Sequence, residues 1–303
     1  MIVITGASGF IGKYLSARLL KSGHALILCS HRQSLQRLFP QAKNIRLDLG
    51  QESQLKKLPA QDVEALVHLA SFVPPSVNRD TIDNARKSLK VNIQGTLNVL
   101  EYVRRHRINK MIFASTISVY GETLCPPDEG DPAYPTSFYG LSKLAAEMLC
   151  EKYRRDYGID CFSLRLGSVY GAGQVPNIVI PKFIRTTLLG QPIVIWGEGR
   201  KRVDFIYVKD VVNAILCALK SKSPGVYNIG SGKPASILEL ARHVKTVFSE
   251  SGRAIIFDKD KPEDTGGVWF DISKAKKELG FLPKYSLIDG LKDYKRELKV
   301  KAK

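Results

Sequence analysis

The chain has 303 residues, 44% hydrophobic and 25% charged, enough for a sizeable core in one large α/β domain or two smaller ones. Its 46 Lys and Arg against 29 Asp and Glu give a formal net charge of +17, which favours nucleic acid, an acidic membrane or a phosphorylated small molecule. No zinc-finger, RNP-like or basic-heptad pattern is there to read nucleic acid, and no apolar run approaches the roughly 20 residues of a membrane span. That leaves a solvated basic surface or a phosphorylated substrate.

The chain starts "MIVITGASG", a strand entering a glycine turn, without the basic start and cleavage site of a secretory leader. "FIGKYLSARLLKSG" follows as a helix closed by Gly23, then the strand "HALILCS". "NIRLDL", "ALVHLA", "KMIFAST" and "DCFSLRL" repeat the strand style with helical stretches between them, and "SLKVNIQGTLNVLEYVRRHR" is the clearest long helix. Beyond Gly167 the pattern loosens: "PNIVIPKFIRTTLLG" reads as a helix, "VDFIYV" and "GVYNIG" as strands, "SILELARHVKTVF" as a helix and "RAIIFD" as a strand. Strands alternating with helices predict an α/β fold, a Rossmann-type doubly wound parallel sheet with a smaller, interleaved substrate-binding domain. The dinucleotide-binding part is expected over 1–167 and about 203–232, and the substrate-binding part over about 168–202 and 233–303. Cys29, Cys125, Cys150, Cys161 and Cys217 are dispersed, which suits reduced thiols in the cytoplasm and no metal site.

"TGASGFIG" places Gly6, Gly9 and Gly12 between the first strand and the first helix, with Phe10 and Ile11 opening that helix. Glycines let the backbone approach a pyrophosphate, and a helix N-terminus offers unpaired N–H groups and a positive dipole end. The second strand ends in Ser30, His31 and Arg32, with no acid to hold both hydroxyls of an NAD ribose. A hydroxyl and a guanidinium suit the NADP 2′-phosphate, so NADP is expected ahead of NAD.

In "SFYGLSK", Tyr139 and Lys143 stand at i and i+4, on one helix face. A phenol ionises near a pKa of about 10, too high for a base at neutral pH, but a neighbouring ammonium favours the phenolate. Tyr139 is then able to trade a proton with an alcohol or carbonyl oxygen while hydride moves at the same carbon. In "FASTISVYG", at the end of the fifth strand, Thr116 offers a hydroxyl to the reacting oxygen; Ser115 is an adjacent alternative and Ser118 a weaker one.

"TGASGFIG", "LDL", "LVHLAS", "VNIQGTLNVL", "FASTISVYG", "SFYGLSKLAAE", "LRLGSVYGAGQ", "DFIYVKDVV" and "YNIGSG" occur in order. Together they resemble the extended short-chain dehydrogenase/reductase family, specifically its nucleotide-sugar epimerases, dehydratases and reductases, from Ile2 to about Gly290. The resemblance implies that Tyr139, Lys143 and Thr116 are catalytic and that Asp48 and Leu49 flank the adenine. It implies that Ala70 and Asn92 lie on the cofactor side, and that the loop after Tyr170 forms the substrate mouth. His68 and Arg165 look structural.

The sequence also departs from the family's pattern. Ile117 and Ser118 follow Thr116 where dehydratases carry Asp-Glu, which argues against dehydration. On the substrate side Ser168 replaces a frequent Asn, and Val203 takes the place of an Arg, with Arg202 one residue earlier and so on the opposite strand face. Arg200, Lys201 or Lys261 is then left to meet the diphosphate in place of Arg202, and Ser168, Arg200, Arg202 and Lys261 are the expected substrate residues. The expected activity is nucleotide-sugar 4-epimerisation, with an NADPH-dependent 4-keto nucleotide-sugar reductase as the alternative. Reduction of a non-sugar carbonyl and a non-enzymatic NADP sensor rank lower. A homodimer is expected, packed through the helix of Tyr139 and the long helix before it.

Overall fold

The short β-branched runs at the centre of the sheet become strands because they are apolar on both sides, as a strand covered on both faces requires. The computed structural model describes residues 1–31, 34–75, 80–121, 126–249, 254–261, 263, 267 and 269–301. It begins with β1 (Ile2–Thr5), buried along its whole length, and α1 (Phe10–Lys21). β2 (Leu26–Ser30), β3 (Lys43–Arg46), a 3-10 helix over Glu52–Lys57 and β4 (Ala65–His68) follow. Next come α2 (Ile82–Ser88), a π-helical stretch over Leu89–Gln94 and α3 (Gly95–Arg105). β5 (Lys110–Thr116) runs into a 3-10 turn over Ile117–Val119, then α4 (Phe138–Tyr157) and β6 (Asp160–Leu166). The rest comprises β7 (Ser168–Tyr170), α5 (Val179–Leu188), β8 (Ile193–Trp196), β9 (Arg202–Val203), β10 (Phe205–Tyr207) and α6 (Val208–Lys220). β11 (Gly225–Ile229), β12 (Ala235–Ser236), α7 (Ile237–Phe248), β13 (Ile255–Asp258), α8 (Ser273–Leu279) and α9 (Leu287–Lys301) complete it.

Seven strands form one parallel sheet in the order β11-β6-β5-β4-β1-β2-β3. The chain starts at β1 and winds outward first one way, then the other. The order therefore reverses between β1 and β4, and a crevice opens at their carboxyl ends. One face of the sheet packs on α1, α6 and α8 through residues such as Leu15, Val211 and Ala275; the other packs on α3 and α4 through Val99, Val103 and Ala146. A third apolar cluster joins α5, β8, α7 and α9 through Phe183, Ile195, Leu240 and Leu291.

Two local expectations are corrected. "SLKVNIQGTLNVLEYVRRHR" is not one regular α-helix, because a π-helical segment interrupts it at Leu89–Gln94. "VDFIYV" is not one strand: β9 and β10 are separated at Asp204 and belong to different two-stranded sheets, β12-β9 and β10-β7. Asp204 is fully buried, and its carboxylate accepts from Ser231 N–H, Ser231 Oγ and Gly232 N–H, so the break is a hydrogen-bonded joint to the loop after β11.

Candidate active site

The glycine turn lies where the strand order reverses. Gly6 has φ 69°, and a Cβ there would sit 2.5 Å from the Ala70 nitrogen, so a side chain is excluded by conformation and by contact. This lets the turn rest directly on the chain leaving β4. Gly9 caps α1 without a side-chain hydrogen bond, which leaves the first-turn N–H groups of Phe10, Ile11 and Gly12 for an anion. The side chains of Phe10 and Ile11 are partly buried against the third cluster, so their backbone is what the turn offers an anion.

A cleft of about 750 Å³ brings together Gly6, Gly9, Ser30, His31, Asp48, Leu49 and Ala70, all expected on the cofactor side. The cradle, the open helix terminus and the size of the cleft fit a nicotinamide dinucleotide. Asp48 carries more structure than expected: its carboxylate accepts from Gly50 N–H at 3.0 Å and Gln51 Nε2 at 3.2 Å, shaping the turn beside the cleft. At the end of β2, His31 is exposed and its carbonyl accepts from Arg46 Nε at 2.9 Å. Arg32 lies outside the described residues. Lys87 and Lys90 also line the cleft, and sequence reasoning passed over both. The only signal was their spacing, three residues apart just before "VN".

Asn92 sits in the π-helical stretch and is 1% exposed. Its Oδ1 accepts from Phe72 N–H and Ser71 Oγ, and its Nδ2 donates to the Phe72 carbonyl and Ser142 Oγ. An amide has two donors and two acceptor lone pairs, and all are used. Asn92 therefore clamps the loop after β4 to α4, walling the cleft rather than reaching into it. Single-turn π segments recur where a helix must re-aim such a residue.

Thr116 ends β5 with its hydroxyl 3.2 Å from Ser118 N–H and 3.3 Å from Ser118 Oγ, capping the 3-10 turn by long hydrogen bonds. Ser115 points the other way, into the protein, and donates to Glu147 of α4. Strand alternation thus separates the two hydroxyls, and Ser115 is removed as an alternative to Thr116. α4 starts at Ser137, whose hydroxyl accepts from Gly140 N–H at 3.1 Å. A Cβ on Gly140 would lie 2.4 Å from the Ser118 carbonyl oxygen, so the missing side chain allows α4's first turn to press on the turn after β5. That contact brings Tyr139 to the end of β5, where Thr116 sits.

Lys143, one helical turn on from half-buried Tyr139, is 2% exposed, with Nζ 4.1 Å from the centroid of the Phe113 ring. Burial lowers its ammonium pKa to about 7, against the opposing pull of the Glu147 carboxylate. His68 is fully buried between Thr5 Oγ1 at 2.6 Å and Thr96 Oγ1 at 3.1 Å. Burial first, and Lys143 second, lower its pKa to about 3, so it is a neutral member of its strand, as expected. Arg165 makes a two-pronged ion pair with Glu147, Nη2 to Oε2 at 2.8 Å and Nε to Oε2 at 3.1 Å, and lies over the Tyr120 ring at 4.6 Å.

The expected substrate residues fall in several places. Ser168 opens β7, and its N–H donates to the Asp204 carbonyl. Arg200 is exposed; its guanidinium pairs with Glu198 and its N–H donates to Glu263, two residues from the exposed Lys261. Arg202 turns instead toward β12 and donates to the Pro234 carbonyl at 2.9 Å, as the one-residue shift implies. Trp196, not singled out from sequence, is 58% exposed at the end of β8 beside the Arg200 turn. Its signal was the alternation of "IVIW", which buries Ile193 and Ile195 and turns Val194 and Trp196 outward.

The profile of the NAD dependent epimerase/dehydratase family matches residues 2–230. A provisionally named UDP-glucose 4-epimerase of Methanocaldococcus jannaschii is 35% identical over 96% of this chain and 96% of its own length. The crystal structure of UDP-glucose 4-epimerase with UDP-glucose from Thermotoga maritima superposes with a TM-score of 0.89 at 28% identity, covering 100% of this chain and 99% of that one. That of UDP-glucuronic acid 4-epimerase from Bacillus cereus, in complex with UDP-glucuronic acid and NAD, superposes with a TM-score of 0.83 at 31% identity, covering 98% and 99%.

Proposed function

Because this chain belongs to the NAD dependent epimerase/dehydratase family, and is an enzyme of the extended short-chain dehydrogenase/reductase type, we propose that it is a UDP-sugar 4-epimerase. The observation that carries the reading is the first turn of α4, with Tyr139 and Lys143 on it, pressed at Gly140 against the turn after β5 that Thr116 caps, with Ile117 and Ser118 where a dehydratase needs an acid. Bound NAD(P) supplies hydride uptake and return at the sugar's C4. Thr116 orients the C4 oxygen, Tyr139 removes its proton, and the Lys143 ammonium favours the phenolate. After the sugar turns within the pocket, Tyr139 returns the proton to the same oxygen. Arg200 and Lys261 are exposed cations for the diphosphate, and the exposed Trp196 indole, on the strand before Arg200, offers the base a stacking face. Ser168, at the start of β7, contacts the sugar.

The test is direct. Purified chain incubated with UDP-glucose or UDP-glucuronic acid, without added reductant, is expected to produce the C4 epimer by anion-exchange chromatography. No turnover of either compound overturns the reading. The reductase reading draws on one feature, the acid-free end of β2, where Ser30 and His31 have Arg46 alongside. Sustained oxidation of NADPH over many turnovers with a 4-keto nucleotide sugar would establish it instead. The same feature is the ground for NADP, whereas the neighbours' complexes hold NAD and lend NADP no support. A dissociation constant for NAD more than tenfold below that for NADP removes the NADP proposal.

The division into a dinucleotide-binding part, 1–167 with about 203–232, and a substrate-binding part is kept as part of this reading. β11 lies in the large sheet, while α5, β8, α7 and α9 share the third cluster. A homodimer completes it. Leu141 and Met148 on α4 and Leu89 between α2 and α3 are exposed on neighbouring helices, an apolar face suited to a second copy. Light scattering that returns a monomer rejects it. Among the described residues no helix is long and apolar enough to cross a membrane.

A further inference from the structure

We propose that Glu147 is a positioning residue for the proton-transfer pair: clamped by Ser115 and Arg165, its carboxylate is the counter-ion that keeps buried Lys143 an ammonium. The proposal rests on the reading of Tyr139 and Lys143 as that pair. Glu147 stands one helical turn beyond Lys143 on α4 and is 3% exposed. Its carboxylate receives the Ser115 hydroxyl from β5 and the Arg165 guanidinium from β6, so three elements fix its place. Ser115 and Arg165 are register partners across the sheet, which points both at one helix face.

A buried ammonium requires a compensating charge or it sheds its proton. The groups facing Lys143 leave one candidate. β4 contributes His68, which is neutral, and β5 contributes the uncharged Phe113 ring. On α4 itself Cys150 is a buried thiol held protonated, in contact with Cys161 of β6, and Tyr139 is the group Lys143 serves. Arg165 brings like charge, and among the described residues Glu147 is the anion acting on Lys143. Ion-pairing to Arg165 does not consume the carboxylate, which has two oxygens and about four acceptor directions. Side chains four residues apart on a helix are neighbours, and opposite charge within about 4–6 Å moves an ionisation by about one to three pH units, enough to set whether Lys143 is charged at neutral pH.

The test reads Lys143 itself. In protein labelled with ¹³Cε-lysine, the Lys143 resonance is assigned by its loss in Lys143→Met and followed against pH. Glu147→Gln keeps the shape and removes the charge, and it is expected to lower the Lys143 midpoint by at least one unit. Glu147→Asp, which withdraws the charge by one methylene, lowers it less. In parallel, the alkaline limb of epimerisation moves to lower pH in Glu147→Gln, about tenfold slower at pH 8 and restored toward wild type at pH 6. A role confined to stability would depress the rate equally at every pH and leave the midpoint in place, and that result overturns the proposal. If Glu147→Gln does not fold, an unshifted midpoint in Glu147→Asp overturns it equally. Should the wild type turn over no UDP-sugar while the midpoint still shifts, the epimerase reading falls and the assignment of Glu147 stands.

Discussion

Gly140→Ala tests whether α4 is placed to aim Tyr139. A Cβ at this position would sit 2.4 Å from the Ser118 carbonyl oxygen and 2.9 Å from the Pro135 Cβ. Carbon and carbonyl oxygen settle at about 3.3 Å, so the first turn of α4 must retreat by roughly 0.9 Å from the turn after β5. The oxygen belongs to backbone in a 3-10 turn that Thr116 caps, so it has little freedom to yield instead. Tyr139 precedes the substituted residue and moves with it, away from Thr116. A misplacement of about 1 Å costs on the order of a hundredfold in rate. Stability responds less, because overpacking costs about 1–3 kcal/mol while alanine regains up to about 1 kcal/mol of helix propensity. The assay is kcat for C4 epimerisation of a UDP-sugar, with urea unfolding and the dissociation constant of the UDP-sugar measured on the same preparation. The expected outcome is a folded protein that binds its sugar nucleotide within about threefold of wild type and turns it over about a hundredfold more slowly. A kcat within threefold of wild type would refute the argument that this contact sets the distance between Tyr139 and Thr116.

Three further substitutions probe separate parts of the molecule. Tyr139→Phe removes the proton donor and acceptor and is expected to lower epimerisation by about 10² to 10⁴ while leaving UDP-sugar affinity intact by calorimetry. Asn92→Ala strips both anchors of Phe72 and the partner of Ser142, costing about 2–4 kcal/mol in urea unfolding and weakening dinucleotide binding through the loosened cleft wall. Glu101 is hydrogen-bonded by Arg104 and by Tyr153, which lower its pKa to about 2. A carboxylate depressed in the folded state stabilises above its unfolded value, near about 4.3, and that stability disappears as pH falls toward 2. Glu101→Gln should therefore lower the urea midpoint at pH 7 and lower it much less at pH 2; an equal change at both would contradict the assignment.

What the sequence disclosed and what it withheld divide by the range of the interaction. The glycine turn and the Tyr139–Lys143 spacing are local: one strand, one turn and one helix fix them, so a short string of residues carries the whole signal. The choice among Ser115, Thr116 and Ser118 is not local. It needs the strand's facing, which only α4 and β6 reveal by placing Glu147 and Arg165 against Ser115. The π-helical stretch escaped the reading for the same reason: Leu89–Gln94 has ordinary helical periodicity. What bends it is the demand of a buried amide for partners on a loop twenty residues earlier and a helix fifty residues later. "VDFIYV" breaks at Asp204, whose buried carboxylate collects three hydrogen bonds from the loop after β11. In each case a buried polar group, unable to return to water, overrode the backbone pattern around it. Buried polar residues inside an otherwise regular run are therefore where a sequence reading of this fold should expect correction. Glu147, a carboxylate in the middle of the apolar face of "LSKLAAEMLCEKY", was the clearest such signal left unread.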